Sequence, residues 1–250
     1  MLLILFFVIG LFIGSFLNVV IYRMEKGEKG IALGRSKCPK CEKTLKWYDL
    51  IPLFSFIFTL GKCRYCLKPI SFQYPLMELA TGFLFAFLFY KLGLTLNLLF
   101  LAVIFSMALI IFVFDLITQE IPDIIAYIAI GIALIYSLVN NYKEFPYALL
   151  AVAIAGGLFA ALVYVSSEKW MGKGDIKIGF LMGLLLSYPK VFVGLFIAFV
   201  LGALVGLILI YFKKKTLKSQ IPFGPFLVLS TFIALFWGDF ILNWYLGALK

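Results

Sequence analysis

The chain contains no histidine. That absence excludes Ser-His-Asp and Cys-His nucleophile activation, any imidazole metal ligand and any imidazole proton shuttle. Charge is also scarce, at 14% of 250 residues against 64% hydrophobic residues. A soluble domain runs at about 25% charged and about 45–50% apolar. With a mean hydropathy of +1.09, the composition describes an all-α polytopic membrane protein. Acid-base chemistry is left to carboxylates, lysines and tyrosines, and soft metal binding to four cysteines.

A bilayer core of about 30 Å needs about 20 apolar residues in a helix. Read against that length, the apolar blocks predict about eight transmembrane helices, near residues 2–21, 75–90, 96–117, 122–140, 146–166, 176–189, 190–212 and 222–246, the sixth being short. The first block has no basic stretch before it and no small-residue cleavage site after it, which predicts a retained helix rather than a cleaved signal. Three regions follow: a first transmembrane helix over 1–22, a polar segment over 23–74 and a helical membrane domain over 75–250. The apolar run Leu50–Leu60 inside the polar segment is too short to cross, so it is expected to pack within a small domain or rest at the interface. No internal repeat is evident.

The net charge of +10 has a topological reading. Eleven of the 22 basic residues lie between Arg23 and Lys68. With that segment cytoplasmic, Lys169, Lys173, Lys177, Lys213, Lys214, Lys215 and Lys218 fall on the same side, and Lys91, Lys143, Lys190 and Lys250 fall outside. Eighteen inside against four outside satisfies the positive-inside rule. The excess charge then needs no nucleic-acid partner.

All four cysteines occupy the polar segment, as Cys38-Pro-Lys-Cys41 and Cys63-Arg-Tyr-Cys66 with 21 residues between the pairs. Two CxxC pairs can present four thiolates to zinc in a closed, structural site. The rival readings are two disulfides or a redox pair. The first fits poorly with a reducing cytoplasm, and the second normally uses a thioredoxin-like scaffold.

Ionisable groups within spans are expensive and are functional candidates by default. Asp115, at the inner end of the third span, and Asp175, in Gly172-Lys173-Gly174-Asp175 at the start of the sixth, fall at the same predicted depth. Two neighbouring carboxylates in a low-dielectric site share a proton, so one can activate water while the other polarises a carbonyl. The glycines flanking Lys173 allow close substrate approach and positive φ values. Pro122 suits the first turn of the fourth span, and Asp123 its positive dipole end. The bland reading is that these acids cap helices or pair with lysines. On that reading Glu78 pairs with Lys68 or Arg64, Asn18 makes a helix-packing hydrogen bond, and Asp239, without a matched partner, is structural.

These residues belong to an ordered series. It opens with Gly14-Ser15-Phe16-Leu17-Asn18-Val19-Val20-Ile21-Tyr22-Arg23 and continues through Arg35-Ser36-Lys37-Cys38-Pro39-Lys40-Cys41 and Tyr48-Asp49-Leu50-Ile51-Pro52. Gly61-Lys62-Cys63-Arg64-Tyr65-Cys66, then Tyr74-Pro75 with Glu78, precede the two aspartate motifs, and Pro222-Phe223-Gly224-Pro225-Phe226 closes it. The series resembles the type IV prepilin peptidases, membrane aspartic proteases with a GxGD motif. The resemblance implies that Asp115 and Asp175 are the catalytic pair. It implies cleavage of leader peptides from prepilins or type II secretion pseudopilins at the cytoplasmic face of the bacterial inner membrane. It further implies methylation of the new N-terminus with S-adenosylmethionine, although no Gly-rich fingerprint for a Rossmann-type donor site is present. The sequence departs from the family pattern at Met24-Glu25, where Leu-Pro is common, and in the charged linker Lys26–Lys29.

Such a substrate carries a basic leader, which Glu120 and Asp123 are placed to attract. The competing readings are a proton-coupled transporter using Glu78 and Asp239, a presenilin-like intramembrane protease, and a structural assembly protein. The first expects acids near mid-membrane, and the second a Pro-Ala-Leu motif that this chain lacks.

Overall fold

The computed structural model describes residues 1–28, 34–140, 142–212 and 221–248. Among these, regular structure is entirely helical: α1 (Leu2–Glu25), α2 (Phe54–Phe58), α3 (Gln73–Leu92), α4 (Leu96–Thr118), α5 (Asp123–Asn140), α6 (Phe145–Ser166), α7 (Lys173–Leu186), α8 (Lys190–Tyr211) and α9 (Gly224–Ala248), with a 3₁₀ turn at Trp47–Leu50. All eight expected membrane segments are helices. Seven are long and apolar enough to cross a membrane. The exception is α7, whose 14 residues reach about 21 Å at 1.5 Å per residue. It starts at Lys173, three residues earlier than hydropathy indicates, because Lys173, Gly174 and Asp175 form its first turn. Conversely, α5 starts at Asp123, so Pro122 precedes the helix. The predicted basic residues Lys29, Lys213, Lys214, Lys215, Lys218 and Lys250 lie outside the described residues.

The chain forms two compact units, Met1–Ser106 and the remainder from Met107. In the first, α1 and α3 pack at backbone distance. A Cβ on Gly14 would stand 2.7 Å from the Glu78 Cα, and one on Gly10 2.5 Å from the Thr81 carbonyl. Small residues four apart on one helix face let two membrane helices meet this closely. Farther along, Phe6 stacks on Phe89 with ring centroids 4.4 Å apart. The same α1 face continues to Asn18, whose Nδ2 donates to the Tyr74 carbonyl at 3.1 Å, the inter-helix bond expected of it.

In the second unit α7 is the central element, packed against α5, α6, α8 and α9. Ala148, Ala151 and Ala155 of α6 are fully covered, and Gly183 lies so close to α6 that a Cβ would be 2.5 Å from the Val152 nitrogen. Outward-facing residues such as Phe196, Leu204, Leu207 and Ile208 on α8 remain exposed. An apolar exterior on this scale needs a lipid solvent, and the chain is a multi-pass membrane protein.

Within the polar segment, the Leu50–Leu60 run forms part of the 3₁₀ turn and then α2. Phe54, Ile57, Phe58 and Leu60 are exposed, an apolar ridge on an otherwise polar region.

Candidate active site and metal centre

Asp115 occupies the last turn of α4 because the helix is stopped just beyond it. The Gln119 amide donates to the Asp115 carbonyl at 2.9 Å, and Gln119 itself has a φ of +59°. The Thr118 hydroxyl donates to the Phe114 carbonyl and accepts from the Glu120 amide. This left-handed stop closes the helix C-terminus. Asp115 is 4% exposed, and its Oδ2 is buried with no hydrogen-bond partner among the described residues.

Asp175 lies in the first turn of α7, 6% exposed, with Oδ2 accepting from the Gly172 amide at 3.2 Å. A carboxylate in this position meets the unpaired amides and the positive end of the helix. The two aspartates are within electrostatic reach of each other. Against Asp115 stands the first residue of α9: a Cβ on Gly224 would lie 2.5 Å from Asp115 Oδ2 and 3.1 Å from Ile178 Cδ1. The sequence offered the Pro-Phe-Gly-Pro-Phe motif without a role for its glycine. Its role is now geometric, since only a residue without a side chain lets α9 begin against Asp115.

The two glycines before Asp175 do not serve the conformational purpose expected of them. Gly172 has a φ of −86°, and neither is among the positive-φ glycines. Gly174 is instead a steric requirement, because a Cβ there would stand 2.7 Å from the Ile121 Cβ. One turn on, Lys177 Nζ pairs with Asp123 Oδ1 and lies 5.0 Å from the centre of the Tyr127 ring. Asp123 is thus an ion-pair partner tying α7 to α5, while its own side chain stays exposed. Glu120 remains exposed.

Two other acids have partners that differ from expectation. Glu78 pairs with neither Lys68 nor Arg64: its Oε2 accepts from the Leu53 amide at 2.8 Å. Asp239 has a partner after all, Lys190 Nζ at 2.7 Å from its Oδ2.

The four cysteines are free thiols whose sulfurs all lie within 4.8 Å of one another, an arrangement that could hold a metal ion. They stand on two copies of one knuckle. In the first, the Cys38 amide donates to the Lys43 carbonyl, the Glu42 amide returns to the Cys38 carbonyl, and Glu42 has a φ of +56°. In the second, Cys63, Lys68 and Leu67 repeat those bonds, with Leu67 at +57°. Matching antiparallel bridges, Lys37 to Thr44 and Lys62 to Pro69, close both. The pattern Lys-Cys-x-x-Cys-x-Lys is therefore a short internal repeat. Asp49 braces the second copy, accepting from Arg64 Nε and the Tyr65 hydroxyl, each at 3.0 Å.

Burial pushes the Cys38 thiol up to about 11. At Cys63 burial acts the same way, but the amides of Cys66 and Tyr65 and the neighbouring thiols outweigh it and bring the group down to about 7. The sulfurs thus share protons, as expected of a thiolate set that only a bound cation can fully deprotonate. Tetrahedral zinc with bonds of about 2.3 Å requires sulfurs about 3.8 Å apart, so the donor type, number and spacing fit such an ion.

Residues 8–92 match the Bacterial Peptidase A24 N-terminal domain, and residues 102–207 the Type IV leader peptidase family. Among curated proteins, the chain is 34% identical to the Prepilin leader peptidase/N-methyltransferase of Legionella pneumophila, covering 97% of this chain and 95% of that one. It is 32% identical to the protein of the same name in Bacillus subtilis (strain 168), covering 96% of each. The counterpart in Aeromonas hydrophila is 30% identical, covering 97% of this chain and 93% of its own. No solved structure matches the chain significantly. Near-complete coverage by these relatives, together with the two matched domains, makes the chain a member of the type IV leader peptidase family.

Proposed function

We propose that the protein is a membrane aspartic endopeptidase that removes the leader peptide from prepilins or pseudopilins at the cytoplasmic face of the inner membrane, and then methylates the new N-terminus with S-adenosylmethionine. Asp115 and Asp175 carry the cleavage. The observation behind this assignment is a buried carboxylate oxygen, Asp115 Oδ2, that has no hydrogen-bond partner among the described residues and belongs to a residue within electrostatic reach of a second buried aspartate. Asp175 uses an oxygen on the Gly172 amide, and the Gly224 amide at the start of α9 is directed at the Asp115 carboxyl, yet Asp115 Oδ2 stays unpaired among the described residues. An orphaned buried oxygen within electrostatic reach of a second acid is suited to water or a substrate carbonyl.

The pair holds one proton between its two carboxyl groups. The ionised aspartate takes a proton from water as the water attacks the scissile carbonyl, and the protonated one donates to the carbonyl oxygen. Collapse of the tetrahedral intermediate breaks the C–N bond as the departing amine receives a proton. The exposed apolar flanks of the helices suit a substrate that keeps its own apolar helix in lipid while an extended segment reaches the aspartates.

In this reading, residues 1–22 form a first membrane helix, 23–74 a cytoplasmic zinc-binding domain and 75–250 the protease domain. Cys38, Cys41, Cys63 and Cys66 hold a structural zinc. Four thiolates leave it no open coordination position, so its contribution is to fold the segment. The test is prepilin processing in a strain lacking its own peptidase, with Asp115→Asn and Asp175→Asn expressed at matched membrane levels. Loss of processing in both is expected; normal processing by either overturns the assignment.

A further inference from the structure

The apolar ridge of α2 has no protein cover among the described residues. Phe54, Ile57 and Phe58 recur at helical spacing on one face, and Phe54 stacks on Phe58 with ring centroids 6.4 Å apart while both stay exposed. Ser55, Phe56 and Thr59 take the other face and line a cavity enclosed by α1, the cysteine segment and the start of α3. Leu60, 84% exposed, extends the ridge. A helix that turns its hydroxyls inward and its large apolar side chains outward is inverted for water.

The depth of α2 is set by α3. The Leu53 amide, at the N-terminus of α2, donates to Glu78 Oε2 at 2.8 Å. The Phe56 ring meets that of Phe72, the residue before α3, with centroids 5.5 Å apart. α3 has 20 residues, about 30 Å of helix, against a hydrocarbon core of about 30 Å. A span with no turn to spare enters hydrocarbon close to its first residue, Gln73, and Glu78 is five residues farther in, about 8 Å. The start of α2 is thereby tied inside the boundary of the apolar phase. Amphipathic helices that lie on membranes sink about 5–10 Å into the headgroup and acyl region, and the Leu53–Glu78 bond holds α2 at that level.

The outward surface of the span also continues onto α2. On α3 the exposed residues Leu76, Phe83 and Tyr90 recur every seven positions, and Phe72 precedes Leu76 by one turn. This stripe ends at Phe72, whose ring meets Phe56. Around the ridge the chain turns basic. Residues 44–72 contain Lys46, Lys62, Arg64 and Lys68, all exposed, and a single acid, Asp49, which pairs with Arg64. Long cationic side chains bordering an apolar face reach lipid phosphates while the face stays in hydrocarbon.

We infer that the α2 ridge is a membrane-seating surface: Phe54, Ile57, Phe58 and Leu60 lie in the acyl region just below the phospholipid headgroups, and the neighbouring basic side chains engage the phosphates. The occupant is the bilayer that α1 and α3 cross. A second protein is a poorer match, because four side chains fall far short of the roughly 20–30 residues a side of a stable protein contact. Seated in this way, the cysteine segment is held against the bilayer at a point between its two chain ends.

The test uses full-length protein in phospholipid nanodiscs, with Phe58 replaced by p-benzoylphenylalanine, or Phe83 so replaced as the lipid-facing reference. Irradiation joins the side chain to whatever C–H bonds lie beside it, and mass spectrometry identifies the product. Position 58 should give phospholipid adducts in at least a third of the yield found at position 83. Phe54→Ser together with Ile57→Ser removes only exposed side chains, so the fold is retained. The pair should lower the lipid yield at position 58 at least threefold and leave that at position 83 unchanged. A yield at position 58 below a third of the reference, or one indifferent to the two serines, overturns the proposal. Joining chiefly to a second copy overturns it too, by making the ridge a contact between copies, and joining chiefly to the same chain does so by making it a face covered from within.

Discussion

Gly224 and Asp115 meet so closely that one added methyl group at the glycine would stand 2.5 Å from the aspartate's Oδ2. Neither residue can move cheaply, since Asp115 is held on the last turn of α4 and Gly224 opens α9. Gly224→Ala is therefore expected to displace the carboxylate and reduce prepilin cleavage at least tenfold. The metal content of the cysteine segment should be unchanged. Cleavage at the parental rate would show that the carboxylate position is not critical.

Removing either acid has a larger expected effect. General acid-base catalysis contributes about 10²–10⁴-fold, so Asp115→Asn and Asp175→Asn should each lose at least about 100-fold in cleavage. Sharing of one proton also fixes the shape of the pH profile. At low pH both groups are protonated and no base remains; at high pH both are ionised and no acid remains. A bell-shaped dependence of kcat/KM is expected, and a profile that only rises with pH would contradict the shared proton.

Gly174 offers a compensating pair. Its missing Cβ makes room for Ile121, whose Cβ would be 2.7 Å away. Gly174→Ala should impair cleavage by moving the first turn of α7, and Ile121→Ala in the same chain should restore part of it. Contacting residues with this coupling depart from additivity. Purely additive losses in the double variant would remove the steric explanation.

Metal analysis should find one zinc per chain. Cys38→Ser or Cys63→Ser should abolish it and expose residues 36–70 to proteolysis. Capture of the ion expels thiol protons, including the one that burial keeps on Cys38 at about 11. Affinity should accordingly fall as pH falls, and fall more steeply below about 7, where Cys63 also protonates. A pH-independent affinity, measured by competition with a chelator, would contradict thiolate ligation.

Hydropathy located the membrane helices well because their apolar blocks are long and their separators carry charge, glycine or proline. It misplaced the start of α7 because a helix whose first turn is Lys-Gly-Asp looks like a loop on that scale. Partner choices were least legible where the partner is backbone: no side-chain pattern announces that Glu78 accepts from the Leu53 amide. The Lys190–Asp239 pair joins residues 49 positions apart on two helices, a match that needs their packing. The twin knuckles, by contrast, were fully written in Lys-Cys-x-x-Cys-x-Lys. Their repetition was obscured because Pro39-Lys40 and Arg64-Tyr65, the residues between the thiols, share no character.

The brevity of α7 bears on a problem every hydrolase in a lipid phase must solve, the supply of water. Its length of about 21 Å falls about 9 Å short of a hydrocarbon core of about 30 Å. Neighbouring α6 and α8, with 22 residues each, are long enough for the full distance. Just past α7 the Tyr188 amide donates to the Tyr147 carbonyl at the start of α6, so these two helices are level there and the shortfall falls at the opposite end, in whose first turn Asp175 lies. A helix that begins late brings its first turn closer to the polar phase along its own axis, so the deficit of helix shortens the distance that the reagent for hydrolysis must travel to Asp175.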